Sequence, residues 1–348
     1  MDTITENVII TNQVPLVLQQ KIISEAYTNV AVLVDENTHE HCYNVIKAHL
    51  PEHTLIQIKS GEIHKNLESC KAIWHVLTQQ SFDRKGVLIN LGGGVIGDMG
   101  GFCARTYKRG IAFINIPTTL LAQVDASVGG KLGIDFDHFK NHIGLFSEPD
   151  QVIIDPIFLK TLPERQLRSG YAEVIKHNLI ADAEGWETIK KNSFPATDWM
   201  DTLRHSVTLK ADVVLKDPTE KGLRKTLNFG HTIGHAVESY LLRHDRSVLH
   251  GEAVAAGMIT EAYISYNRQF IDNDSLKEIV DYIDLIFERI KLNENDILEI
   301  SNYAIQDKKN KGNRIMAALL KEVGSAQWDT EISKDEIQQS LQYYTLQT

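Results

Sequence analysis

Cysteine is scarce in this chain. Cys42, Cys70 and Cys103 are the three in 348 residues, too far apart for a C-x-x-C pair. Their spacing argues against a disulfide framework and a thiolate zinc site, and fits a reducing cytoplasm. Long apolar runs are missing too: no segment approaches the ~20 consecutive apolar residues of a membrane span. The start, "MDTITENVII", carries acids where a signal peptide has lysines. Positive charge is in deficit, with 36 Lys and Arg against 46 Asp and Glu and a formal net charge of −10. Wholesale nucleic-acid binding would need a basic face. The expected partners are therefore small molecules, with no nucleic acid and no membrane. Flexible linkers, repeats and low-complexity tracts are absent as well, so any domain boundary must be read from periodicity.

That periodicity changes once. The first half alternates strands and helices: "NVAVLVDEN", "HTLIQIK", "GVLINLGGG" and "IAFINIP" are apolar strand-length runs. Helical stretches separate them, around "HCYNVIKAHL", over 64–80, and after the glycines. Such alternation predicts a parallel sheet covered on both faces, an α/β domain of Rossmann-like type. From about Pro156 the segments are helix-length with helical spacing, as in "GYAEVIKHNLIA", "HTIGHAVESYLL" and "GEAVAAGMITEAYISYN". The expected organisation is an α/β domain over 1–155 and an α-helical domain over 156–348.

"NLGGGVIGD" contains a formal G-x-G-x-x-G, Gly92, Gly94 and Gly97, directly after a strand. Glycines there let backbone N–H groups approach a pyrophosphate at a helix N-terminus. The turn departs from the usual dinucleotide fingerprint, because it follows a later strand and no acid stands about twenty positions on. Pro117 and Thr118 occupy that region, and Asp35 at the end of the first strand is the alternative partner for a ribose. A bare tight turn is the plainer reading; a dinucleotide in a non-standard arrangement is the one adopted.

In "HTIGHAVESYLL", His231, His235 and Glu238 share one helical stripe opposite Ile233, Val237, Tyr240 and Leu241. In "YAEVIKHNLI", Glu173, Lys176 and His177 do the same. A polar stripe is usually just the wet face of a helix. These two are rich in His and Glu rather than in the Lys/Glu mixture of a plain surface. With His250 and Glu252 they supply enough donors for a catalytic Zn²⁺ with three ligands and an open position. Spacing does not choose among the six, and no H-E-x-x-H is present to suggest a peptidase. Asp125, Lys131, Lys140 and Asn141 lie in an irregular glycine-bearing stretch, and Lys210, Arg224 and Asn228 precede the histidine helix. Each alone reads as a surface charge; together they would form a phosphate or carboxylate site.

Taken in order, "GGGVIGDMGGF", "IPTTLLAQVDASVGGK", "KNHIG", "SGYAEVIKH", "LNFGHTIGHA" and "HGEAVAAGM" closely resemble the 3-dehydroquinate synthase family, over roughly residues 30–325. The resemblance implies an N-terminal NAD-binding α/β domain, a C-terminal α-helical domain, an active site between them and a homodimer. It implies conversion of 3-deoxy-D-arabino-heptulosonate 7-phosphate to 3-dehydroquinate and phosphate. The implied course is transient NAD oxidation at C5, phosphate elimination, re-reduction and aldol closure, with Zn²⁺ or Co²⁺ acidifying the alcohol.

Carried over by motif, the metal ligands would be Glu173, His231 and His250. NAD would lie against Asp35, Asn37, Ser60, Gly61, Glu62 and Lys65, along Gly94, Val95, Ile96, Gly97 and Asp98, and beside Thr118, Thr119, Lys131, Lys140 and the segment Phe158, Leu159, Lys160, Thr161. Substrate would meet Asp125, Lys131, Asn141, Lys176, Lys210, Arg224, Asn228 and His235, with catalysis expected of Lys131, Lys176, Lys210, Arg224, Asn228 and His235. Arg109, reaching in from a partner subunit, and Lys308 or Lys309 of "QDKKNKG" would complete the phosphate grip. Two departures stand out. Leu132 and Asp135 occupy positions where the family more often has Thr and Asn, and Leu132 is expected to remove a polar contact beside the ligands. Rival readings are another sugar-phosphate cyclase, a metal-dependent NAD polyol dehydrogenase, and a non-catalytic metabolite-binding protein.

Overall fold

The computed structural model describes residues 1–137, 139–191, 194–195, 198–305 and 314–346. It divides into two compact units: Met1–Pro163 with Asp198–Ala211, and Glu164–Thr197 with Asp212–Thr348. The first break falls at 163/164 rather than 155/156. The reason is local: the 3₁₀ turn Pro156–Thr161 buries Phe158 in the sheet's own core.

The first unit is built on a seven-stranded sheet. Its strands are β1 (Asp2–Thr5), β2 (Val8–Ile10), β3 (Val30–Asp35), β4 (Thr54–Ile58), β5 (Val87–Gly92), β6 (Ala112–Pro117) and, after a separate hairpin of β7 (Lys131–Phe136) and β8 (Phe139–Phe146), β9 (Gln151–Ile154). The order is β1-β2-β9-β6-β5-β3-β4, parallel except for the β1–β2 pair. The β-branched run of β3 is divided between two cores by its twofold alternation. Ala31 and Leu33 face one side with Ile73 and Leu77 of α4 (Leu67–Gln79) and Met99 and Cys103 of α5 (Gly94–Thr106). Val30, Val32 and Val34 face the other, with Leu18 of α1 (Val14–Glu25) and Ile46 of α3 (Tyr43–Lys47), which follows the short α2 (Glu36–His41). All three cysteines are buried and free.

This strand order fixes where a ligand is expected. The chain leaves β3 for β4 on one side, then returns to place β5 on the other, so the order reverses between β3 and β5. Crevices at the C-terminal ends of strands at such a reversal are the usual ligand sites of open α/β sheets. Asp35 ends β3 and Gly92 ends β5.

The second unit is mostly helical. It contains α6 (Glu164–Ala181), α7 (Ala183–Ile189), the end of α8 (Trp199–Lys216), α9 (His231–Arg243), α10 (His250–Asn267), α11 (Asn273–Ile286), α12 (Glu294–Ile305) and α13 (Lys334–Leu346). It also carries an antiparallel hairpin of β10 (Ile315–Glu322) and β11 (Ser325–Ile332), which the sequence reading did not include. Helix α10 is apolar almost all round and packs against α6, α9, α11 and α13, as a central helix should. The apolar stripe of α9, Ile233, Val237, Tyr240 and Leu241, is buried with Leu319 of β10. Among the described residues no helix is long and apolar enough to cross a membrane.

The stretch around residues 118–146 takes a form that periodicity does not announce. One turn of π-helix, Ala122–Ala126, leads into the β7–β8 hairpin. Leu132 belongs to the first strand of this hairpin. Its side chain lies in the apolar core beside Phe113 and Met99, and its Cδ2 fills the space that a Cβ on Gly101 would need, 2.5 Å away. A leucine at this position packs. Replacing Leu132 by Thr should lower stability by about 2–3 kcal/mol, because methyl contacts are lost and a hydroxyl is buried. Denaturant unfolding would read this directly.

Candidate active site

In the first unit the glycine turn opens α5. Gly93 is its N-cap and supplies no side-chain cap, so the first-turn N–H groups are offered to whatever lies at the helix end. A Cβ on Gly93 would stand 3.2 Å from Thr119 Cγ2, and one on Gly94 would stand 3.4 Å from Ala126. The donor set and the bare helix end fit a pyrophosphate. Thr118 N donates to Gly92 O at 3.1 Å, and Thr119 Oγ1 accepts from Ala122 N. Asp35 caps α2 by accepting from Thr38 N at 2.8 Å, while Asn37 is exposed on the same helix. Ser60 is held by Glu36 through both its N–H and its hydroxyl, each at 2.9 Å. Gly61 has φ 101°, a left-handed conformation, and begins the 3₁₀ turn that carries Glu62.

Lys65 is the most buried cation of this half, 3% exposed. Its Nζ donates to Asp98 Oδ2 at 2.5 Å and to Asn141 Oδ1 at 2.6 Å. Burial works against the ammonium, but the Asp98, Glu62 and Asp135 carboxylates outweigh it and hold its pKa above the ordinary lysine value. Asp135, the second departure, accepts from Asn141 N at 2.7 Å and donates its own N–H to Lys65 O at 2.8 Å. It thereby fixes both partners of that contact, with Asn141 at φ 50°. Lys210 Nζ lies 2.6 Å from Asp125 Oδ1 and also donates to the Asp125 carbonyl.

Other expected residues lie on the surface or are taken up by packing. Lys131, Lys140 and Arg109 are exposed. Ile96, Phe158 and Leu159 point into the core, so their side chains are taken up by packing; Lys160 and Thr161 are exposed. Lys308 and Lys309 lie outside the described residues.

In the second unit α6, α9 and α10 bring Glu173, His231 and His250 to one point. Glu173 is completely buried. Its Oε1 is 3.4 Å from His231 Nε2 and 3.7 Å from His250 Nε2, and its Oε2 is ion-paired with Lys176, itself 1% exposed. The imidazoles of His231, His235 and His250 form a triangle with ring centroids 5.1, 5.3 and 5.7 Å apart. One carboxylate and two imidazole nitrogens converging in a buried place are a donor set for a divalent transition ion.

The outer contacts suit that use. His231 Nδ1 lies 3.1 Å from Phe229 O, a carbonyl that can only accept, so Nδ1 carries a proton and Nε2 is the atom turned toward Glu173. His250 Nδ1 lies 3.4 Å from Glu238 Oε2. Burial disfavours the His250 imidazolium, yet Glu173 and Glu238 raise its pKa to about 9. Glu238, grouped with the histidine stripe by spacing alone, thus supports a ligand from outside. Glu252 is not part of the cluster. It binds Arg165 through both oxygens, at 2.6 and 2.8 Å, and caps α10 at Leu249 N.

Arg224 is buried and donates to Pro218 O at 2.7 Å. Its loop is tied by Asp217, which accepts N–H groups from Lys221, Gly222 and Arg224 and is held below the usual carboxylate pKa by them. Asn228 Nδ2 donates to Glu220 Oε1 at 3.1 Å. Sequence reasoning passed over Asp217 and Glu261. An acid inside the apolar run "GMITEAYI" was the available signal for Glu261.

The fold can be placed first. The solved structure of the 2-epi-5-epi-valiolone synthase ValA from Streptomyces hygroscopicus, with NAD⁺ and Zn²⁺ bound, matches all of this chain and 99% of its own, with TM-score 0.87 and 23% identity. The chain therefore shares the fold of that enzyme. Sequence narrows this further. Residues 55–169 match the family described as 3-dehydroquinate synthase N-terminal, and 170–310 its C-terminal counterpart. The 3-dehydroquinate synthase of Parabacteroides distasonis is 38% identical over 97% of this chain and 98% of its own length. That of Dictyoglomus thermophilum is 41% identical over 87% of each. The chain belongs to the 3-dehydroquinate synthase family.

Proposed function

We propose that this chain converts 3-deoxy-D-arabino-heptulosonate 7-phosphate to 3-dehydroquinate and phosphate, using NAD and Zn²⁺ or Co²⁺, as a homodimer. The observation that carries the reading is the convergence of Glu173, His231 and His250, in a chain whose two halves both match the family. Bound NAD would take up a hydride from the sugar alcohol and return it, and the metal would lower that alcohol's pKa. The residues expected to hold the metal are Glu173, His231 and His250. Those expected to hold NAD run from Asp35 through the α5 turn to Thr118 and Thr119, with Lys65 fixed by Asp98 and Asn141.

The remaining work falls to cations and imidazole. Lys176 sets its ammonium against the outer oxygen of Glu173, a counter-charge for a carboxylate cut off from solvent. Asp125 aims the Lys210 ammonium. Arg224, held by its loop, offers a guanidinium for a phosphate; Lys131, Asn141 and Asn228 are the other residues expected to meet the substrate. The phosphate is best used if these groups hold it where it accepts the C6 proton itself, so that the leaving group is its own base. His235, beside the two ligand imidazoles, serves the sugar hydroxyls as a hydrogen-bonding or proton-transfer group.

The test is phosphate release from the heptulosonate phosphate by purified protein. Catalytic NAD should suffice, net NADH should not accumulate, and a chelator should abolish turnover until Zn²⁺ or Co²⁺ is restored. Stoichiometric NADH would instead indicate a polyol dehydrogenase, and release without NAD would defeat the proposal.

A further inference from the structure

Helix α9 begins without a cap of its own. Its N-cap is Gly230, at φ 77°, with no side chain to accept from the first-turn N–H groups. There is no room for one. A Cβ on Gly230 would stand 2.6 Å from Met258 Cγ and 3.0 Å from Val254 O, both on α10. The cap comes from that neighbouring helix. Glu261, wholly buried, accepts from Gly230 N at 2.6 Å through one oxygen and from Ile233 N at 3.0 Å through the other.

The cap brackets a ligand. His231 lies between Gly230 and Ile233 and is the first residue of α9; His250 is the first residue of α10. A bidentate cap from α10 to the start of α9 therefore sets the two imidazoles relative to each other. A buried carboxylate is a costly way to cap a helix, since a local Ser or Asp does the same near water. The cost is understandable where the two helix starts must keep one register. We propose that Glu261 is a positioning residue for the metal: it holds His231 against His250 before the ion arrives. This rests on the metal reading above and adds to it a residue that would not touch the ion.

The test compares wild type with Glu261→Gln, which keeps one carbonyl acceptor, and Glu261→Asp, which keeps the charge on a shorter arm. Co²⁺ and Zn²⁺ affinity is measured by competition with a chromophoric chelator, alongside the Tm of each metal-free protein. Amide hydrogen exchange of residues 230–233 is followed in metal-free wild type. The expected result is a 10- to 100-fold loss of metal affinity in both variants, the range found for outer-shell changes, with an altered Co²⁺ absorption spectrum. Residues 230–233 of metal-free wild type should already be protected. A merely structural Glu261 would lower Tm and leave affinity and spectrum unchanged, which overturns the proposal. So would free exchange of those amides in wild type, a result independent of whether the variants fold. Wild type that takes up no metal would defeat the parent reading, and this one with it, whereas unchanged affinity in folded variants defeats this one alone.

Discussion

Glu173→Gln should lose metal affinity by roughly 10²–10⁴-fold, since removing one charge from a buried set costs about 3–5 kcal/mol, and turnover should fall with it. The same change has a second effect that must be separated. Glu173 is also the ion-pair partner of Lys176, and both side chains are cut off from water. The variant leaves an ammonium in the interior without its counter-charge, so the metal-free protein should also become less stable. A double substitution, Glu173→Gln with Lys176→Met, removes both charges. Stability should return toward wild type, as when buried pairs give way to apolar groups, while metal affinity stays low. Isothermal titration with Zn²⁺ and denaturant unfolding would follow the two quantities independently. Restoration of both together would mean that Glu173 serves the fold and not an ion.

Gly257→Ala should be the most destabilising small substitution in the second unit. A Cβ there would lie 1.8 Å from Gly230 O, 2.7 Å from Gly230 C and 2.9 Å from Gly234 N. All three are backbone atoms, so no rotamer change relieves the clash, and α9 must move off α10. Overpacking usually costs about 1–3 kcal/mol and sometimes more; a clash with main chain belongs at the upper end, about 3–5 kcal/mol. Because His231 starts the displaced helix, metal affinity should fall as well. Gly97→Ala is the contrast, with its nearest neighbour, Asn115 Nδ2, at 3.9 Å. The Tm of its metal-free form should hold or rise, as expected for Ala over Gly inside a helix. Equal losses in the two variants would show that close helix approach is not what the glycine at 257 provides.

The sheet was legible where side chains alternate between two cores, as in β3, and the helices where one stripe is apolar, as in α9. The short strands β1 and β2 and the hairpins β7–β8 and β10–β11 were not, because β1 and β2 are only four and three residues long and β8 and β11 show no alternation of buried and exposed side chains. The same limit applied at the site. Spacing grouped His231, His235 and Glu238, but only the approach of three helices distinguishes Glu173 from Glu252, which lies two residues past His250 yet binds Arg165. Leu132 shows a related limit. A departure from a motif looks like a change at the ligand until Gly101 is seen making space for it. Glu261 went unremarked because a lone acid in an apolar helix has no meaning until the N–H groups that it accepts are located.

Neither unit is one continuous piece of chain, since residues 198–211 rejoin the first after 164–197 have gone to the second. An exchange of genetic material at 163 would therefore bring in Asp125 from the donor and leave Lys210 with the recipient, splitting a pair that touches at 2.6 Å. Chimaeras made by a single crossover there take the two sides of this contact, and the surfaces around them, from different parents, whereas a graft that also carries 198–211 takes both from one.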